Sequence, residues 1–185
     1  IQVYCRLCLA EESEENLRAR YAIILKQREE AYKRVEEAKA TAKVVALSAV
    51  KYGDLSNQAS KDYIFDIDRF TSFEGNTGPY ILYTIVRIKS ILNKYKEAGK
   101  EAGTAAILPA HSESEKALML ELTRFNAMME NAYEETAPHK VCSYIYDLAN
   151  ALNHFYHETK IMAEEDEAVQ ASYVRLLTLT SRTLE

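Results

Sequence analysis

The chain has 185 residues, of which 48% are hydrophobic and 28% are charged. This length fits one domain or two small ones, and this balance excludes a mainly disordered chain. With only 5 Gly and 3 Pro, the chain is not collagen-like or low-complexity. Its net charge of −5 argues against a protein that wraps nucleic acid with a generally basic surface.

The first ten residues are apolar, but they are too short for a membrane span and lack the charged leader of a signal peptide. Because the chain starts at Ile1, we expect it to be a piece of a longer or processed protein. Its three cysteines are an odd number, which favours a reducing compartment. Cys5 and Cys8 have CxxC spacing without a second ligand pair, so we interpret them as thiols that bind no metal.

Helical spacing dominates the first third of the chain. Residues 13–51 contain no Gly or Pro and predict one long helix, which we expect to end where Gly53 accepts a left-handed cap. Residues 62–68 alternate polar and apolar side chains, but a single short strand would lack a partner, so we expect an extended linker. A short helix is expected over 66–73, followed by a Gly-rich and Pro-containing loop over 74–79.

The remaining sequence predicts further helices and no alternation of strands with helices. They are expected at residues 79–97, 113–123, 124–136, 138–160 and 164–184. Ser112 and Glu115 form a capping-box pattern at one of these starts. The fold class is therefore predicted to be all-α, a bundle of five or six helices with a long N-terminal helix, and no nucleotide-binding βαβ unit is expected.

Candidate catalytic groups are few. Asp66 and Asp68 could act as paired carboxylates, but turn and cap roles suit Asp at such positions better. His154 and His157 share a helix face, as metal ligands would, yet no third ligand is evident, so no metal site is predicted. The sequence contains no P-loop or GxGxxG pattern, and these observations favour a binding module over an enzyme.

One stretch favours nucleic acid. Residues 80–100 carry five basic side chains and one acid, a local charge of +4, interleaved with tyrosines. Unstacked RNA bases stack on aromatic rings while cations hold phosphates. The alternative interpretation is that these tyrosines lie in the core and the cations form a solvated face.

Four segments, in order, carry a family resemblance. They are Ala49-Val-Lys-Tyr-Gly-Asp-Leu-Ser56, Asp62-Tyr-Ile-Phe-Asp-Ile-Asp68, Ser72-Phe-Glu-Gly-Asn-Thr-Gly-Pro-Tyr80 and Ala137-Pro-His-Lys-Val-Cys-Ser-Tyr-Ile-Tyr-Asp-Leu-Ala-Asn-Ala-Leu-Asn-His-Phe-Tyr156. Over residues 35–185 the chain resembles the C-terminal, all-helical anticodon-binding domain of arginyl-tRNA synthetase, a class I enzyme. The name-giving motif of this DALR domain is present only as Asp147-Leu-Ala-Asn150.

The resemblance implies a tRNA-binding site and no catalytic residue in this chain. The loop and the tyrosines that follow it would shape the anticodon pocket. Two cations would contact phosphates or bases, and the family pattern supports their roles less strongly. The implied site residues are Gly75, Asn76, Thr77, Gly78, Tyr80, Tyr83, Arg87, Lys89 and Tyr156.

The implied organisation is a connector over residues 1–34, leading to a catalytic domain outside this chain, and an anticodon-binding bundle over 35–185. The parent enzyme would attach arginine to its tRNA using ATP, while this chain alone would bind RNA, hold no cofactor and be inactive. Its expected partners are the anticodon stem-loop of an arginine tRNA and the catalytic domain. A cytoplasmic monomer with no membrane contact is expected. The alternative function is a helical protein-interaction module that does not bind RNA.

Overall fold

The computed structural model describes residues 14–101, 103 and 105–185, and Cys5 and Cys8 therefore lie outside the described residues. Within this part the chain forms seven α-helices, one 3₁₀ helix at Ile161–Ala163 and no strand, so the all-α prediction is confirmed. The helices are α1 (Glu14–Leu55), α2 (Ile67–Phe70), α3 (Gly78–Glu97), α4 (Glu113–Thr123), α5 (Phe125–Glu134), α6 (Pro138–Glu158) and α7 (Glu167–Leu184).

Contacts divide the chain into two units within α1, one up to Val44 and the other from Val45 to Glu185. The predicted boundary at residues 34/35 falls in the same helix. In the first unit, large side chains such as Tyr21, Ile24 and Tyr32 are more than half exposed. The second unit has its own hydrophobic core and is described separately below.

The predicted left-handed cap at Gly53 is wrong, because the φ angle of Gly53 is not positive and α1 continues to Leu55. A Cβ atom at residue 53 would lie 2.1 Å from Cδ1 of Phe70, so glycine is required here for close packing of the Phe70 ring. Glycine at residue 53 therefore allows α1 to contact the Phe70 ring, and it does not form a left-handed cap.

The core of the second unit lies between α3, α4, α6 and α7. The predicted apolar stripe of α3 is buried, including Ile81, Ile85 and Ile88. Across from it, Leu148 and Leu152 of α6 are almost completely inaccessible to solvent. Burying a large aliphatic side chain contributes about 1.5–3 kcal/mol relative to leaving it exposed, so this core fixes how α3 and α6 face each other.

Side-chain caps begin several helices. Asp66 accepts a hydrogen bond from the Arg69 backbone N–H at the start of α2, which is the cap role preferred from the sequence. Ser112 caps α4 by accepting from the Glu115 N–H, as its pattern predicted. The Glu115 carboxylate accepts from the backbone N–H of His111, one residue before the cap. Asp166 caps α7.

Candidate nucleic-acid interface

The loop before α3 is held by its own hydrogen bonds. The Thr77 hydroxyl caps α3 by accepting from the Tyr80 N–H at 3.2 Å, and it donates to the Ser72 carbonyl at 2.6 Å. Gly75 has φ +79°, a conformation that glycine adopts without steric cost. Gly75 and Asn76 are exposed, whereas Thr77 is buried, so the tip of the loop faces solvent and its end is packed against the bundle.

Two contacts attach this loop to α1. Gly78, the first residue of α3, lies so close to α1 that a Cβ atom there would be 2.3 Å from the Ser48 carbonyl oxygen. The Tyr52 hydroxyl lies 2.6 Å from Oδ1 of Asn76 and 2.8 Å from the Cys142 carbonyl oxygen. Burial, followed by the nearby Cys142, raises the pKa of Tyr52 well above its ordinary value, so its hydroxyl keeps the proton that it donates.

Tyr80 is engaged in a polar network between α3 and α6. Its hydroxyl donates to Oδ1 of Asn150 at 2.8 Å and accepts from Nδ2 of Asn153 at 2.7 Å. Its ring centroid lies 5.7 Å from that of Tyr146. Because its hydroxyl is hydrogen-bonded and its ring packs against Tyr146, Tyr80 joins α3 to α6 and offers little free ring surface to a ligand.

Arg87 lies between two tyrosine rings from different helices. Its guanidinium carbon is 4.8 Å from the Tyr83 ring centroid and 5.2 Å from that of Tyr156. Arg87 also donates a hydrogen bond to Oδ1 of Asn153. Tyr83 and Arg87 are four residues apart on α3, and Asn153 and Tyr156 are three apart on α6, so each pair shares a helix face. The result is a cation between two aromatic rings that are 47% and 37% exposed.

The structure places Lys89 elsewhere. Its Nζ lies 2.8 Å from Oε1 of Glu185, and this ammonium group lowers the pKa of the Glu185 carboxyl. Lys89 follows Arg87 by two residues, which corresponds to about 200° around a helix, so the two cations point to different sides of α3. The predicted cations therefore do not form one patch.

Of the predicted site residues, the structure brings three together as an exposed cluster: Tyr83, Arg87 and Tyr156. Tyr80 is linked to this cluster through Asn153, while the loop residues lie at the start of α3. Sequence reasoning missed Asn153, which holds Arg87 and also lies 3.4 Å from the Thr84 hydroxyl. Its spacing of three residues from both Asn150 and Tyr156 is the signal that could have placed it on this face.

Neither a metal site nor a membrane-spanning helix is found in the part of the chain that the structure describes. In those residues, no group of three or more His, Cys, Asp or Glu side chains could hold a metal ion. His154 instead faces Glu158, with 3.6 Å between Nε2 and Oε1. None of the helices described is both long and apolar enough to cross a membrane.

The fold and the exposed cluster define a helical-bundle module with an aromatic and cationic face. The family described as the DALR anticodon binding domain matches residues 81–185. Since this match spans more than half of the sequence, the chain belongs to the DALR anticodon binding domain family.

Known proteins with similar sequences and structures are arginine–tRNA ligases. The chain is 68% identical over 151 residues to the enzyme of Agathobacter rectalis and 55% identical over 141 residues to that of Alkaliphilus oremlandii. These matches cover 80% and 76% of this chain but 25% and 24% of the relatives. The chain thus spans about a quarter of the length of the curated relatives that it matches.

Solved structures agree with the sequence relatives. The arginyl-tRNA synthetase of Thermus thermophilus has 31% identity and a TM-score of 0.70, and the match covers 77% of this chain and 24% of that one. The enzyme of Plasmodium falciparum has 26% identity and a TM-score of 0.71, covering 86% and 28%. The resemblance to the C-terminal domain of arginyl-tRNA synthetase is thereby confirmed.

Proposed function

We propose that this chain binds the anticodon stem-loop of an arginine tRNA through the cluster of Tyr83, Arg87 and Tyr156. The observation that carries the proposal is the position of Arg87 between two exposed tyrosine rings. Rings and a cation at one place match what single-stranded nucleotides require, namely a stacking surface and a counter-charge for phosphate.

In this proposal, anticodon bases leave their own stack and rest on the free surfaces of the Tyr83 and Tyr156 rings. Such stacking contributes about 1–3 kcal/mol per base. Arg87 stays next to the phosphates because Asn153 holds its guanidinium group. The exposed loop tip, with Gly75 and Asn76, lies at the start of the same helix and supplies backbone groups for a base edge.

The chemistry of arginine attachment is assigned to a part of the parent protein that this chain does not span. The relatives are named for joining arginine to tRNA. We assign that reaction, its use of ATP and the contact with the catalytic domain to the full-length parent, and RNA binding to this chain. The chain alone is then expected to bind RNA without attaching arginine.

A second candidate function, a protein-interaction module without RNA binding, is favoured by one observation. Ile64 is 88% exposed and Ile67 is 67% exposed on the segment between α1 and α3. Large apolar side chains this exposed are typical of surfaces that another protein covers. The two functions respond differently to salt, because phosphate contacts weaken as salt rises while an apolar contact does not.

The test is a titration of the chain with an arginine-tRNA anticodon stem-loop and with the same stem carrying a scrambled anticodon, at two salt concentrations. Selective binding is expected, with log K falling by about 0.7 per phosphate contact for each decade of salt. Equal binding of both loops, or no binding of either at low salt, would exclude anticodon recognition by this chain.

A further inference from the structure

A charged cavity lies between the end of α3 and the middle of α7. It has a volume of about 310 Å³, and its charged lining consists of Lys96, Lys100, Glu101 and Arg175. Three cations and one carboxylate give this lining a net charge of +2. In the part of the chain that the structure describes, none of the four forms an ion pair.

One buried donor at this cavity lacks an acceptor. The Nε atom of Arg175 is buried and has no hydrogen-bond partner among the described residues. Tyr95, which is only 5% exposed, lines the same cavity. A buried donor without a partner is rare in folded proteins, so the Arg175 Nε–H group indicates a missing acceptor at this place.

A second donor, the Lys100 ammonium group, is already positioned. Nζ of Lys100 donates to Oε1 of Gln170 at 2.7 Å. Gln170 is 2% exposed, and its Nε2 donates to the Ile161 carbonyl at 3.1 Å. A buried amide therefore holds the Lys100 ammonium group at the cavity, which leaves its other two N–H groups for a ligand.

We propose that this cavity binds a phosphate group. A phosphate dianion matches the net charge of +2 and has several acceptor oxygens for the donors that line the cavity. Arg175 can bind two of those oxygens side by side, Lys96 and Lys100 supply charge, and the Tyr95 hydroxyl supplies one more hydrogen bond. The ligand is either a free phosphoanion or a phosphate of an RNA backbone, which share this chemistry.

The cavity is separate from the tyrosine cluster. Lys96 follows Arg87 by nine residues, which is two and a half turns of a helix, so the two side chains leave opposite sides of α3. RNA bases stacked on Tyr83 would not occupy the cavity. The phosphate site can therefore exist whether or not the proposed anticodon binding does.

The test uses the ¹⁵N-labelled chain, titrated with inorganic phosphate and then pyrophosphate at constant ionic strength. Saturable shifts of backbone amides near Tyr95 and Arg175 are expected. Arg175→Gln should weaken the affinity about tenfold, as expected for loss of a charged hydrogen bond. Arg182→Gln removes an exposed arginine from the same helix and should leave the affinity unchanged. Shifts that never saturate, or equal affinity in both variants, would overturn the proposal.

Lys96→Gln is a second variant, which keeps the test decisive if Arg175→Gln fails to fold. Lys96 is exposed, so its replacement should preserve the fold, checked by circular dichroism, while weakening phosphate binding. Unchanged binding in a folded Lys96→Gln protein would count against the site. A competition arm identifies the source of the phosphate. If stem-loop RNA shifts these amide signals and pyrophosphate reverses the shifts, the site binds a phosphate of the RNA backbone. If only the small anion shifts them, the site binds a free phosphoanion.

Discussion

Arg87 of α3 and Asn153 of α6 are 66 residues apart in the chain and are joined by a hydrogen bond from the guanidinium group to the amide oxygen. The same amide donates to the Tyr80 hydroxyl. Asn153 thus determines where Arg87 stands between the Tyr83 and Tyr156 rings, although it presents no aromatic ring or charge to a ligand.

Replacing Asn153 with Ala should weaken both the fold and RNA binding. Loss of this half-buried amide removes one of the two partners of the Tyr80 hydroxyl, which keeps its bond to Asn150, and the hydrogen-bond acceptor of Arg87. The free energy of unfolding should therefore fall by about 1–3 kcal/mol. Stem-loop affinity, measured by fluorescence anisotropy under conditions where the variant is folded, should fall about three- to tenfold because Arg87 is released. Asn93→Ala, an exposed change on α3, is the control and should alter neither quantity. Wild-type affinity in folded Asn153→Ala would contradict the role of Asn153.

Gly78→Ala should destabilise the chain more than Gly75→Ala. A Cβ atom at residue 78 would meet the backbone of α1, with the Ser48 carbonyl oxygen 2.3 Å away, so α1 and α3 would have to separate. We expect a loss of about 1–3 kcal/mol, as for overpacking of a core. At Gly75 the cost comes only from its positive φ, since nothing lies within 4 Å, and should be about 1 kcal/mol. Urea unfolding of both variants measures the difference, and equal losses would contradict this account of Gly78.

Stability should fall in alkaline solution partly because of Cys142. Burial raises the pKa of its thiol from 9.0 to about 11. A pKa that is higher in the folded than in the unfolded chain means that folding favours the protonated thiol. The corresponding stability is present below pH 9 and is lost as the pH rises towards 11.

The measurement is the free energy of unfolding of wild type and Cys142→Ala between pH 8 and 11. The decline should be smaller in the variant by about 1–2 kcal/mol over that interval. Burial also raises the pKa of Tyr52 and Tyr144, so a decline that starts nearer pH 10 should remain. An identical decline in the two proteins would show that Cys142 does not contribute.

Helix positions could be predicted from the sequence because their causes are local. The stripe of Ile81, Ile85 and Ile88 and the Ser112 cap each depend on residues within a turn or two, and the structure confirms both. The cap predicted at Gly53 was wrong because glycine near a helix end can be required for either of two reasons, a left-handed cap or a close contact. Only the position of Phe70 distinguishes them.

The candidate site could be predicted only in part, since its geometry depends on contacts between distant segments. Tyrosines interleaved with cations made Tyr83 and Arg87 candidates, and the family resemblance implied Tyr83, Arg87 and Tyr156 as site residues. Neither could reveal that the Tyr80 hydroxyl is hydrogen-bonded to Asn150 and Asn153, or that Lys89 pairs with Glu185. Such pairings arise from the way α3, α6 and the end of α7 pack, which no local pattern encodes.

We propose that RNA bases stack on Tyr83 and Tyr156. This stacking is measured by the affinity of the arginine-tRNA anticodon stem-loop for Tyr83→Ala and Tyr156→Ala, with Tyr133→Ala as the control. Tyr133 is 87% exposed on α5 and lies outside the cluster. Each cluster variant should lose about 1–3 kcal/mol of binding, roughly five- to 150-fold, while the control binds like wild type. Equal affinity of all three folded variants and wild type would contradict the account.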